Sequence, residues 1–228
     1  MKFKSLTLAT MILGLGLFMV SGCSDDDNGV ASPEVSNVKV VHASPDAPGV
    51  DILIDNSKAV SNLEFPNNTG YVNLESGTRN VKVNAAGTDV TVINEDLTLT
   101  PNMTYSVFAV DSLSRITVLV LADDLTTPAS GKAHVRFIHL SPNAPAVDIA
   151  VTGGPVVFSD YVFKEYSAFT PLDAGTYNLE VRLSGTSTVV LPLPGIQLQN
   201  GKIYTVFARG FVGGSGNQAL GAEIIVNN

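Results

Sequence analysis

The residues best suited to chemistry lie in one short segment that occurs twice. His42, Ser44 and Asp51 supply an imidazole, a hydroxyl and a carboxylate within VHASPDAPGVDI, residues 41–52. His139, Ser141 and Asp148 supply the same set within IHLSPNAPAVDI, residues 138–149. These are the side-chain types of nucleophilic catalysis, where an imidazole takes the hydroxyl proton and a carboxylate orients the imidazole. Strand parity favours a structural role instead. Val38, Val40 and His42 fall on one face of a strand, as do Val135, Phe137 and His139. Lys39 and Arg136 mark the opposite face, expected to be the wetter one. Each His is therefore expected to point inward at a strand end and to satisfy buried loop carbonyls or N–H groups. Asp51 is out of phase with Val50 and Ile52, so it is expected to point outward, and a direct His–Asp pair would require a bulge. Pro45 and Pro48, like Pro142 and Pro145, fix the loop, while Ser44 or Asp46 can bond nearby backbone N–H groups. No residue is assigned as catalytic; a hydrolase using the His–Ser–Asp loop stands as an alternative.

Metal and cofactor chemistry find little footing. The chain has three His residues, and His134 differs in parity from His139, so one strand face cannot present both. Asn143 stands where the first copy has Asp46, which removes one carboxylate ligand. No Gly-rich loop precedes a helix, so a nucleotide cradle has no support. Gly213-Gly214-Ser215-Gly216 is expected to be a hairpin tip. No metal and no cofactor are expected.

The elements that must hold these segments also come in two copies. The loop recurs at an offset of 97 residues; LESGTRNVKV (74–83) then matches LDAGTYNLEV (172–181), and TYSVFAV (104–110) matches IYTVFAR (203–209). Constant order and nearly constant offset mean a duplicated domain rather than a short solenoid repeat. Alternation in NVKVN and NLEVRL, punctuated by Gly77-Thr78, Gly87-Thr88, Gly175-Thr176 and Asn200-Gly201, predicts short half-buried strands, seven to eight per copy. The expected fold is all-β: two tandem immunoglobulin-like antiparallel β-sandwiches, residues 37–125 and 133–228, joined by a linker at 126–132.

Composition agrees. Hydrophobic residues make up 45% and charged residues 15%, enough for a core. The net charge of −8 disfavours nucleic acid and anionic headgroups as partners. The single cysteine, Cys23, excludes an intrachain disulfide. Its setting is informative. Lys2 and Lys4 precede the apolar run LTLATMILGLGLFMV (6–20), too short to span a bilayer, and Val20-Ser21-Gly22-Cys23 follows. This arrangement resembles the signal peptide and lipobox of bacterial lipoproteins, with Val20 in place of the usual Leu. The resemblance implies cleavage of residues 1–22 and lipid on Cys23, whose several acyl chains hold a protein on a membrane. Residues 23–36 then form an acidic flexible tether. Ser24-Asp25-Asp26-Asp27 beside the cysteine resembles the surface-export signal of some Gram-negative lipoproteins. That implies the outer membrane or cell surface, with the periplasmic face as the alternative.

The motif H-x-S-P-[D/N]-A-P-x-V-D, recurring with the Gly-Thr turn and the Tyr-x-Val-Phe-Ala strand, resembles a family of repeated domains of unknown function from secreted and lipid-anchored bacterial proteins. The resemblance covers residues 37–226. It implies a β-sandwich outside the cytoplasm and no established reaction. The expected function is a structural or interaction module with an unknown protein or glycan ligand. A glycan-binding or adhesion module is the first alternative; it would stack sugars on aromatic faces. The chain has no Trp, which leaves Tyr161, Tyr166 and Tyr177, since Tyr105 and Tyr204 occupy matching strand positions as fold residues.

Overall fold

Short runs of Val, Ile, Thr and aromatic residues, cut by Gly, Asn and Pro, form sixteen strands in a computed structural model that describes residues 33–228. The first eight are β1 (Val35–His42), β2 (Val50–Ile54), β3 (Ser57–Leu63), β4 (Asn68–Glu75), β5 (Gly77–Ala85), β6 (Thr91–Leu99), β7 (Thr104–Val110) and β8 (Thr117–Ala122). The next eight are β9 (Lys132–His139), β10 (Val147–Val151), β11 (Val156–Tyr161), β12 (Thr170–Asp173), β13 (Gly175–Leu183), β14 (Val189–Leu198), β15 (Ile203–Arg209) and β16 (Gly221–Val226). Two single-turn 3₁₀ segments, Leu113–Arg115 and Gly216–Gln218, interrupt them.

The two octets have one topology. In the first, sheets run β4-β1-β7-β8 and β3-β2-β5-β6; in the second, β12-β9-β15-β16 and β11-β10-β13-β14. Register repeats as well: Gly77 pairs with Leu99 as Gly175 pairs with Leu198, and Tyr105 pairs with Ala122 as Tyr204 pairs with Val226. Even the tyrosine hydroxyls do the same work. Tyr105 accepts from the Thr100 N–H and Tyr204 from the Gln199 N–H. The pairings are antiparallel except β1 with β7 and β9 with β15, which are parallel. A parallel pair needs a long crossover, and the intervening strands supply it.

Each octet closes on its own core. In the first, Val50, Ile52, Val83 and Ile93 pack with Ala109, while Val38 and Val107 meet Leu99. In the second, Val135, Phe137, Val147, Ile149, Val181 and Val206 form one cluster, with Phe137 against Phe158 and Tyr161. These are two β-sandwiches in tandem.

A third apolar cluster joins them. Val41, Ala43, Phe108, Val110 and Leu121 of the first sandwich pack with Ile138, Leu140, Phe207 and Ile225 of the second. Phe108 and Phe207, matching residues of the two copies, meet edge to face with ring centroids 6.0 Å apart. The outer face of β4-β1-β7-β8 therefore lies on the outer face of β12-β9-β15-β16, and residues 33–228 form one compact unit. This corrects the expectation for the face of Lys39 and Arg136. Both residues are 2% exposed, because the partner sandwich covers the face that an isolated sandwich would leave wet. Each finds partners there. Arg136 Nη1 lies 2.7 Å from Asp123 Oδ1, an ionic contact whose N–H is too far off line for a good hydrogen bond. Arg136 Nη2 donates to Thr205 Oγ1, and its plane sits over Phe169. Asp123 Oδ2 accepts from Tyr71 Oη at 2.5 Å and Ser106 Oγ at 2.6 Å. Asn227, the counterpart of Asp123, donates to the same Tyr71 oxygen. Lys39 Nζ donates to the Val226 carbonyl and lies 4.1 Å from the Tyr71 ring centroid.

Candidate functional site

The signature segments are the loops from β1 to β2 and from β9 to β10. The strands deliver His42 and His139 to the loops wholly buried, and each loop folds back over its own imidazole. His42 Nε2 donates to the Pro48 carbonyl at 2.9 Å, and His139 Nε2 to the Pro145 carbonyl at 3.1 Å. The other ring nitrogens differ. His42 Nδ1 accepts a long bond from the Ser44 N–H, whereas His139 Nδ1 has no partner among the described residues. Burial lowers the pKa of both imidazoles, against the opposing pull of the carbonyls at Pro48 and Pro145.

The serines and aspartates serve other partners. Ser141 Oγ donates to the Gly210 carbonyl at 2.7 Å, while Ser44 Oγ, equally buried, has no hydrogen-bond partner among the described residues. Asp51 does fall out of phase with the core residues Val50 and Ile52, but it is 2% exposed rather than out in solvent. The outward expectation is corrected because two turns fold over it. Oδ1 accepts from the Asn62 N–H at 2.9 Å, and Oδ2 from the Gly87 N–H at 3.2 Å and from Lys58 Nζ at 2.6 Å. Its cover is thin, a layer of turns rather than core. The Lys58 bond foremost, then the two N–H bonds, hold its pKa down at about 2. Asp148 repeats the staple, accepting from the Asp160 N–H at 2.8 Å and the Gly185 N–H at 3.0 Å. The variable D/N position is a clamp. Asp46 accepts from the Leu113 N–H and Asn143 from the Val212 N–H, so each signature loop grips its own β7–β8 or β15–β16 connection. Histidine, serine and aspartate thus share a motif without a hydrogen bond from one of these side chains to another.

The gripped connections differ between copies. The first runs 111–116, six residues; the second runs 210–220, eleven. In the first copy, Ile116 packs against the cluster of Val50, Val83, Ile93 and Ala109. In the second, their counterparts Val147, Val181, Leu191 and Ala208 line a cleft of about 500 Å³. His139, Ala144 and Pro145 form one wall, and Phe211, Val212 and Leu220 of the long connection another. The connection turns away at Gly210, where φ is +80° and a Cβ would run into the Ala219 carbonyl. Gly213 and Gly214, half of the stretch expected to be a simple hairpin tip, lie in this wall. Parity could not reveal the cleft; the extra residues between IYTVFAR and GAEII were the available signal.

The remaining candidates are scattered. Tyr161 packs on Phe137 and Phe158, Tyr177 donates to the Asp173 carbonyl, and Tyr166 is 52% exposed. No group of three or more His, Cys, Asp or Glu able to hold a metal occurs among the described residues. Cys23 and the tether to Ser32 lie outside them.

Fold and loops together define a tandem β-sandwich protein in which each sandwich carries the same proline-fixed loop over a buried histidine. The chain belongs to the DUF4397 family, described as a domain of unknown function, whose profile matches residues 36–150. No curated protein matches. Among solved structures, the chain is similar to a family 26 carbohydrate-binding module from Eubacterium rectale, crystallised with maltoheptaose. Identity is 12%, with 83% of this chain and 95% of that one covered and a TM-score of 0.25. A superposition that loose supports no inference about ligand.

Proposed function

We propose that this chain is a lipoprotein of the outer membrane or cell surface. Lipid on Cys23 anchors it, and two copies of the family's domain act as one rigid interaction module. The periplasmic face is the alternative address. The observation that carries the reading is the shared apolar face centred on Phe108 and Phe207, together with the buried Arg136–Asp123 pair. Two sandwiches joined only by a linker would reorient freely, whereas this unit holds one surface at the end of an acidic tether. In this reading the signature loops are structural. His42 and His139 stitch the loop backbone, Asp51 and Asp148 staple the neighbouring turns, and the prolines fix the path between.

The anchoring is tested by expressing the chain and its Cys23→Ala variant with an alkyne fatty acid. The expected result is label on the parent and an unlabelled, unprocessed variant; equal labelling of both would end the proposal. Protease added to intact cells then separates the addresses. Cleavage of the parent supports the cell surface, and protection until the outer membrane is opened supports the periplasmic face.

A further inference from the structure

We infer that the cleft of the second sandwich is a binding site for a neutral, largely apolar small molecule that donates one hydrogen bond to His139. Its volume of about 500 Å³ lies within the usual range for small-molecule sites, roughly 300–1,000 Å³. Its walls are Val, Leu, Ala, Pro, Phe and Gly, with His139 as the one titratable side chain among them. A charged ligand would lose its hydration there without gaining a counter-charge.

The acceptor is specific. His139 is wholly buried, its Nε2 is committed to the Pro145 carbonyl, and its Nδ1 has no partner among the described residues. A hydrogen on Nε2 leaves a lone pair on Nδ1, so the group it can satisfy is a hydroxyl or N–H. Burial lowers the ring's pKa, which favours this neutral form. The mouth adds a second sign. Val190 and Val212, both lining residues, are 37% and 48% exposed. Exposed valines on the rim of a concave apolar surface mark a place where something docks.

The first sandwich serves as an internal control. It has the same loop and the same buried His, but its short connection brings Ile116 onto the equivalent apolar residues, and His42 Nδ1 accepts from Ser44. The longer connection and the unpartnered nitrogen occur together, in the copy with the cleft. The inference rests on reading the chain as a binding module, but not on where the chain is anchored.

The test uses the full chain in amphipol and three probes: 1-naphthol, naphthalene and 1-naphthoate. The absence of Trp leaves naphthyl fluorescence free of indole background. Two variants serve as blanks. One deletes Gly213–Asn217, which brings the connection to the length found in the first copy. The other, Ala144→Phe, places a ring in the wall. Circular dichroism and the denaturation midpoint report that each is folded. The expected result is saturable 1:1 binding of 1-naphthol, about tenfold weaker binding of naphthalene for want of one hydrogen bond, and no saturation by 1-naphthoate. Both folded variants should lose naphthol binding. Failure of 1-naphthol to saturate, or its undiminished binding to both folded variants, would overturn the site. Equal binding of naphthalene would overturn the role of His139, and equal binding of 1-naphthoate the neutral specificity. Fatty-acid labelling of the parent is scored separately, so loss of the anchoring proposal and loss of this one are distinguishable.

Discussion

Replacing Asp123 by Leu removes the carboxylate on which Arg136, Tyr71 and Ser106 converge at the face between the sandwiches. Asp123 and Arg136 have side chains 0% and 3% exposed, so water cannot replace the lost partner. Breaking a buried pair from one side costs about 3–5 kcal/mol, because the surviving charge stays desolvated. For a unit of this size that lowers Tm by roughly 6–20 °C. Arg136→Met should cost less, about 2–3 kcal/mol, since Asp123 keeps the two hydroxyl donors. The double variant Asp123→Leu, Arg136→Met removes both charges and should fall within about 1–2 kcal/mol of the parent. Guanidinium unfolding followed by far-UV circular dichroism measures all four proteins. Residues 33–228 should unfold in one transition, and all of it should move. A cost below about 1 kcal/mol for Asp123→Leu would refute the reasoning, as would a double variant as weak as the sum of the singles. Two separate transitions, with only the first sandwich affected, would refute the rigid face.

Three further outcomes follow from the geometry. Burial lowers Lys39 to about 8, with Arg136 adding to the effect and Asp123 opposing it. The unfolded state therefore binds more protons between pH 8 and about 10, and stability should rise across that window. Above pH 10 the buried Tyr71, whose pKa is raised, resists an ionisation that the unfolded chain undergoes, and the gain should reverse. Denaturation midpoints at pH 7.5, 9, 10 and 11 check this, with Lys39→Met expected to flatten the rise. On the acid side, His42 and His139 are lowered, so the unfolded state protonates first and stability should fall as pH drops below about 6.5. A His42→Gln, His139→Gln variant should show a weaker acid slope in urea titrations. Asp148→Ala orphans the Asp160 and Gly185 N–H groups and should cost about 1–3 kcal/mol, read from the urea midpoint.

Much of the architecture was legible. The duplicated order, the Gly-Thr turns and the alternation in NVKVN and NLEVRL describe two β-sandwiches because those patterns are set by each sheet's own core. The face between the copies was not read, because Lys39 and Arg136 look like solvent markers when one sandwich is considered alone. Its trace was present in Val40-Val41, Phe137-Ile138 and the unbroken VFA of β7 and β15, where successive apolar residues mean burial on both sides of a sheet. Parity also set Asp51 apart from Val50 and Ile52, but the Asn62 and Gly87 turns that cover it depend on contacts remote in sequence. The cleft escaped for a related reason: it is defined by where a connection fails to pack, and periodicity reports only where chains do pack.

The matched aromatic pair at the centre of the molecule has a consequence for how such a protein can vary. Phe108 on Phe207 is the contact a two-fold homodimer would make with itself, here carried within a single polypeptide. In a true homodimer every interface residue appears twice, so a lone buried arginine would bring a second one with it. Joined copies escape that rule. One half has placed Arg136 where the other has Lys39, and Asp123 stands opposite the position taken by Asn227. The halves have become complementary instead of identical. One connection can then be long, as 210–220 is, while its short twin keeps the other half closed.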